Sequence, residues 1–149
     1  MNAPAASQAG AGREPAGVQG GCEKLGFAKG HIVQEFGYDG DVDDEFRFAI
    51  EEICGAELED EDYTGEVDAV LLWWRDEDGD LADALVDTVG VLGEGGFVVL
   101  VTPKPGQQGE VEASEIDEAA VTAGLHGGGS ANAGDAWRAT KLASPKARR

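Results

Sequence analysis

Three short segments of the sequence carry side chains that could bind a ligand. The first supplies Glu35, Gly37, Tyr38, Asp39 and Gly40, the second Trp74, Arg75 and Asp76, and the third Thr102 and Lys104. Each segment directly follows an apolar run with the pattern of a strand. In open parallel sheets, ligands bind beyond the carboxyl ends of the strands. We therefore predict these ten residues as candidate ligand-binding residues, with the second tryptophan of the run stacking on a ligand and the lysine holding an anion.

Strand and helix patterns alternate along the chain. Strands are predicted over residues 31–36, 67–74 and 97–101, with a short strand over 56–58 and a final antiparallel pair that ends at Leu142. Helical spacing of apolar residues predicts helices from Val42 to Ile53, over residues 81–92, and over 116–123. Gly55 and the Gly95-Gly96 pair are predicted to end elements, and Asp80 and a capping-box-like Ser114/Asp117 pair to begin them.

This order predicts an α/β fold with three layers, because parallel strands need crossover connections that pack on the sheet. The expected architecture is Rossmann-like: a mostly parallel sheet with helices on both faces and a possible C-terminal antiparallel pair. Residues 1–23 lack large apolar side chains and are predicted to be a disordered tail. Residues 24–143 form the single predicted domain, and residues 144–149 form a basic C-terminal tail.

Charge limits the partners of this chain. The formal net charge is −19 over 149 residues. Such a charge repels phosphate backbones and anionic lipids, so we expect neither nucleic-acid nor membrane binding. It favours a protein partner with a basic surface. The sequence has no long apolar run and no leader pattern, which predicts a cytoplasmic protein; it leaves the oligomeric state open.

No catalytic or metal-binding pattern is complete. Aspartates alternate at positions 39, 41 and 43 and at 76, 78 and 80, but neither run has the glycine that a calcium loop requires at its sixth position. Two histidines far apart give no zinc pattern. A reversible disulfide between Cys22 and Cys54 would need a thiolate of low pKa, whereas acidic surroundings raise the pKa of Cys54. No serine lies in a nucleophile-elbow context. We therefore predict no catalytic residue and no metal site.

Several strings resemble known proteins. The strand "VDAVLLWW" followed by "VLGEGGFVVLVTP" resembles the central part of S-adenosylmethionine-dependent methyltransferases. The strings "LGFAKGHIVQEFGYD", "LLWWRDEDGDLADALVD", "VLVTPKPG" and "DAWRATKLASPK" more closely resemble an uncharacterised family of small acidic proteins from high-GC Gram-positive bacteria. The resemblance spans Leu25 to Lys146 and implies a shortened methyltransferase-like fold of unassigned function.

The chain departs from the methyltransferase pattern at the residues that would hold the cofactor. The resemblance implies an acidic residue and three glycines after the first strand, and Asp39 stands where one of these glycines belongs. An acidic residue after the second strand would hold the ribose hydroxyls, and Glu57, Glu59 and Asp60 are equally suited. The Asn/Asp-Pro-Pro-aromatic string of amino methyltransferases is absent after the tryptophan strand.

The incomplete pattern predicts a non-catalytic or vestigial methyltransferase-like domain that binds a partner protein or a small ligand in a regulatory role. This interpretation expects no cofactor. One alternative is a small, active methyltransferase that binds S-adenosylmethionine. A second alternative is an acidic protein-interaction module.

Overall fold

The computed structural model describes residues 16–144. Four helices and five strands follow one another along the chain: α1 (Ala16–Leu25), β1 (Val33–Phe36), α2 (Asp44–Cys54), β2 (Val67–Trp73), α3 (Leu81–Val89), β3 (Leu92–Pro103), α4 (Ala113–Thr122), β4 (His126–Asn132) and β5 (Trp137–Ala143). A 3₁₀ turn, Asp76–Asp78, lies between β2 and α3. No helix in this part of the chain is long and apolar enough to cross a membrane.

The five strands form one mixed sheet in the order β1-β2-β3-β5-β4. Strands β1, β2 and β3 are parallel, whereas β5 is antiparallel to both β3 and β4. The predicted α/β class and the C-terminal antiparallel pair are confirmed. The expected parallel arrangement holds for β1, β2 and β3, whereas the two antiparallel pairings of β5 make the sheet as a whole mixed.

Helices cover both faces of the sheet and give three layers. Helices α1 and α2 pack on one face, where Phe46 and Ile50 meet Trp73 and Val99 in one apolar cluster. Helices α3 and α4 pack on the other face with Leu72 and Leu100. The alternation of side chains along β2 therefore directs Trp73 to the α1/α2 face and Trp74, just beyond the strand, to the α3/α4 face.

Local capping explains where two of these helices begin and end. Asp43 accepts a hydrogen bond from the Phe46 amide at the start of α2, and Asp80 does the same for the Asp83 amide at the start of α3. Gly55 ends α2 in the left-handed conformation, with φ of 80°. The predictions for Asp80 and Gly55 are thus confirmed.

Four local predictions need correction. Residues 16–23 were expected to be disordered but belong to α1, where Cys22 is fully buried; residues 1–15 lie outside the described part of the chain. Residues 56–58 form no strand, and only an isolated bridge joins Gln34 to Glu59. The Gly95-Gly96 pair lies within β3 and not at its start. Helix α4 begins after Glu112 without a side-chain cap, so the capping box at Ser114 does not form.

Candidate ligand-binding site

Glu35, the acidic residue predicted to face a ligand, is committed to internal contacts. Its side chain is buried, and its carboxylate accepts hydrogen bonds from Arg47 Nε at 2.7 Å and Arg47 Nη2 at 2.9 Å. Trp73 Nε1 donates a third hydrogen bond, at 2.8 Å. The hydrogen bonds to Glu35 raise the pKa of Arg47 and outweigh the opposing effect of burial. The carboxylate therefore ties β1 to α2 and to the end of β2.

Gly37, just after β1, is tightly packed against the end of β2. Gly37 adopts a φ of 80°, and a Cβ at this position would collide with the carbonyl oxygen of Trp73. The Gly37 amide donates to Glu61 Oε2 at 3.2 Å, and its carbonyl oxygen accepts from Arg75 Nη1 at 2.8 Å. A glycine is required here because the loop lies directly against the end of β2.

Arg75 holds this loop from the other side. Its guanidinium donates to both carboxylate oxygens of Asp41, at 2.5 Å and 3.1 Å, and lies 3.4 Å from Asp78 Oδ2. It also lies over the ring of Trp137, 5.2 Å from the centroid, and the indole of Trp137 donates to the Asp41 carbonyl oxygen at 3.0 Å. Burial acts to lower the pKa of Arg75, but the hydrogen bonds and charges of Asp41 and Asp78 raise it overall. In turn, the Arg75 hydrogen bond lowers the pKa of Asp41.

A groove of about 490 Å³ opens beside this closed loop, on the α3 face of the sheet. Its lining includes the apolar side chains Phe36, Leu72 and Trp74 from the sheet and Ala84 and Val91 from α3 and the residues after it. Its polar lining comes from Tyr38, Asp39, Arg75, Asp78, Asp87 and Thr88. The buried Trp74 Nε1 has no hydrogen-bond partner among residues 16–144.

The ten candidate residues do not form one site. Five of them, Gly37, Tyr38, Asp39, Trp74 and Arg75, line the groove. Glu35 lies behind it in the ion pair with Arg47. Gly40 is exposed, and its amide bonds to Asp39 Oδ1 at 2.7 Å, while Asp76 is exposed in the 3₁₀ turn.

The third segment lies at a separate place on the sheet. Thr102 lines another cavity, of about 420 Å³, together with Arg138, Thr140 and residues of α4. Lys104 lines neither cavity, and its amide donates to the Ala136 carbonyl oxygen at 2.9 Å. Strand β3 continues to Pro103, which pairs with Trp137 of β5, so Thr102 lies inside a strand and not in a loop.

Sequence reasoning missed several residues that shape the site: Asp41, Arg47, Glu61, Asp78, Asp87 and Trp137. The sequence does carry a signal for Arg47, because this residue is the only lysine or arginine between Lys29 and Arg75, in a very acidic stretch. A lone cation there is expected to find a carboxylate. No group of three His, Cys, Asp or Glu side chains within residues 16–144 is arranged to hold a metal ion.

Sequence comparison identifies the family of this chain. The profile of a protein family of unknown function, DUF3052, matches residues 22–146. The chain belongs to this family. An uncharacterized protein of Mycobacterium tuberculosis and one of Mycobacterium bovis are each 54% identical over 125 residues, covering 84% of this chain and 78% of the relative. The resemblance to uncharacterised proteins of high-GC Gram-positive bacteria is thereby confirmed.

Solved methyltransferases share the fold of this DUF3052 chain. A putative methyltransferase from Thermoplasma acidophilum matches with a TM-score of 0.56 at 10% identity, over 80% of this chain and 70% of that one. Magnesium protoporphyrin IX methyltransferase from Synechocystis, solved with bound S-adenosylmethionine, gives 0.53 at 8% identity, over 85% and 77%. An O-methyltransferase from neocarzinostatin biosynthesis, in complex with S-adenosylhomocysteine, gives 0.55 at 17% identity, over 83% and 52%. At these identities the likeness concerns the fold alone.

Proposed function

We propose that this DUF3052 chain is a non-catalytic binding domain that uses a methyltransferase-like fold to bind a ligand or partner in a regulatory role. The closed loop after β1 carries the proposal. Both backbone polar groups of Gly37 are hydrogen-bonded inside the protein, and its α-carbon rests against the end of β2. In this conformation neither the amide nor the carbonyl oxygen of Gly37 is free to bind a cofactor.

The residues at this loop do not fit S-adenosylmethionine in the way that the resemblance implies. The acidic residue of the pattern, Glu35, already accepts three hydrogen bonds. The space that the glycine leaves is filled by the Trp73 carbonyl group. The segment expected to supply an acid for the ribose hydroxyls forms no second strand; it contributes Glu61 to the Gly37 amide instead.

The ion-paired side chains near the groove are poorly placed for acid–base catalysis. A general acid or base needs a side chain that is free to exchange a proton with a substrate. Asp41, Asp78 and Arg75 form a compact ion-pair network, and Glu35 is paired with Arg47. These pairs fix the conformation of the two loops, which suits a rigid binding surface.

Titration calorimetry of the full chain with S-adenosylmethionine and S-adenosylhomocysteine tests the proposal. We expect no heat of binding for either compound. The variant Asp39→Gly restores the glycine of the pattern at an exposed position, and we expect it to remain silent because Gly37, Glu61 and Arg75 still close the loop. Binding to the native chain in the micromolar range would contradict the proposal and favour an active methyltransferase.

A further inference from the structure

The groove beside the closed loop has the properties of a small-molecule site. Its volume of about 490 Å³ lies within the range of roughly 300–1,000 Å³ that is typical of ligand pockets. Such pockets combine an apolar lining with a few polar groups. Here the aromatic rings of Phe36 and Trp74 and the side chain of Leu72 supply the apolar part. The α3/α4 face thus offers a concave apolar surface next to the sheet edge.

The charges around the groove are mostly negative. Three carboxylates, Asp39, Asp78 and Asp87, and one guanidinium, Arg75, line it. The positive charge of Arg75 is balanced by Asp41 and Asp78. Asp39 and Asp87 form no ion pair with any residue of 16–144. A ligand in the groove therefore meets two uncompensated carboxylates, in a chain whose formal charge is −19.

Aromatic faces next to carboxylates attract organic cations. A cation within about 6 Å of an aromatic ring centroid is stabilised by the ring quadrupole, most strongly over tryptophan. Trp74 lines the groove together with Asp39 and Asp87. The structure already uses this interaction on Tyr38, where the guanidinium carbon of Arg47 lies 4.7 Å from the ring centroid.

We infer that the groove binds a small organic cation whose apolar body contacts Phe36, Leu72 and Trp74 and whose ammonium group faces Asp39 and Asp87. The inference rests on the proposed function, since it identifies the ligand class of a non-catalytic site. Charge complementarity favours a cation, and a groove of this volume accommodates a free small molecule. Anions of the same shape are excluded by the same carboxylates.

A set of probes that differ only in charge tests this inference. We would titrate the ¹⁵N-labelled full chain with benzyltrimethylammonium or phenethylammonium, with neutral 2-phenylethanol and with anionic phenylacetate. The chain has three tryptophans, and the indole N–H of Trp73 and that of Trp137 are bonded to Glu35 and to the Asp41 carbonyl oxygen. We expect saturable shifts of the Trp74 indole resonance with the cations, weaker shifts with the alcohol, and none with phenylacetate. Trp74→Phe assigns the resonance.

Two matched variants on α3 distinguish binding in the groove from general attraction of cations to the acidic surface. Asp87→Asn removes a groove carboxylate, and Asp83→Asn removes an exposed carboxylate of the same helix that does not line the groove. Loss of one nearby charge should weaken the affinity for the cation by about fivefold in Asp87→Asn, while Asp83→Asn stays within about twofold of the native chain. Equal weakening in both variants would overturn the inference.

Four other outcomes would refute the inference. Equal binding of the cation and the alcohol would show an apolar pocket without charge selection and would refute the inference. So would shifts that avoid Trp74, no saturable shift with either cation, or binding of a lysine-rich peptide in place of the small cations. None of these results bears on the calorimetric test with S-adenosylmethionine, so the inference and the proposed function can fail separately.

Discussion

Replacing Gly37 by alanine should strongly destabilise the chain. The φ of 80° places this residue in the left-handed region, where a side chain costs roughly 1–2 kcal/mol. The new Cβ would also collide with the Trp73 carbonyl oxygen and lie 3.2 Å from the carbonyl carbon. Because this oxygen belongs to the end of β2, it cannot move without disturbing the sheet, and overpacking of this kind costs roughly 1–3 kcal/mol. The sum is a loss of about 3 kcal/mol in the free energy of unfolding.

Gly40→Ala provides the matched control three residues further along the same loop. A Cβ at Gly40 meets no atom within 4 Å, and its φ is not left-handed. Its unfolding free energy should stay within about 0.5 kcal/mol of the native value or rise slightly. Urea denaturation followed by tryptophan fluorescence measures both variants, and an m-value of about 2 kcal/mol/M converts the Gly37→Ala loss into a midpoint shift of about 1.5 M. A Gly37→Ala midpoint within about 0.3 M of the Gly40→Ala midpoint would refute the tight packing of the loop.

Three further predictions concern Glu35, the Arg75–Asp41 ion pair and the two cysteines. Glu35→Gln keeps one acceptor for three donors, so the free energy of unfolding should fall by about 2–4 kcal/mol; a loss below about 1 kcal/mol would contradict the role assigned to the pair. Because Arg75 lowers the pKa of Asp41, the stability that this pair adds is complete above the unfolded carboxyl pKa of about 3.9 and disappears as the pH falls through the lower folded value. The stability difference between the native chain and Asp41→Asn should therefore be constant from about pH 8 to pH 5 and shrink below about pH 4, as urea melts at each pH would show. Burial raises the pKa of Cys22 to about 12 and also raises the pKa of Cys54, so neither thiol should react with iodoacetamide in the folded chain at about pH 8, whereas both should react in urea. Rapid native-state labelling of either cysteine would contradict the burial of that cysteine.

The central elements could be predicted because their signals are local. Strand β2 is a continuous apolar run, as expected for a parallel strand covered on both faces, and α2 and α3 show apolar residues at helical spacing. Aspartates at their first turns and Gly55 at the end of α2 carry capping information in single residues. These features need no knowledge of the rest of the chain.

The elements that were missed depend on distant contacts. Helix α1 has three glycines in ten residues, and burial of Cys22 and Leu25 against the α2 side of the sheet stabilises it. The Gly95-Gly96 pair has the composition of a turn, but β3 begins earlier because Leu92 pairs with Val67 before the register shifts. Sheet pairing thus overrides the local preference of these glycines.

The candidate site could be predicted only in part for the same reason. The topology rule correctly directed attention to the ends of β1 and β2, and Tyr38, Asp39 and Trp74 do line one groove. The rule says nothing about which polar groups are satisfied internally. The partners of Glu35 lie 12 and 38 residues away in the sequence, and a pattern within one segment cannot reveal them.

The Gly37 amide resonance tests the closed loop most directly. ¹H–¹⁵N spectra of the native chain would be recorded with and without a saturating excess of S-adenosylhomocysteine. We expect an unshifted Gly37 resonance and slow exchange of this amide with solvent, because its hydrogen is bonded to Glu61. A concentration-dependent shift of the Gly37 resonance, with loss of its protection, would show that the loop opens to hold the cofactor and would contradict the proposal of a non-catalytic domain with a closed loop.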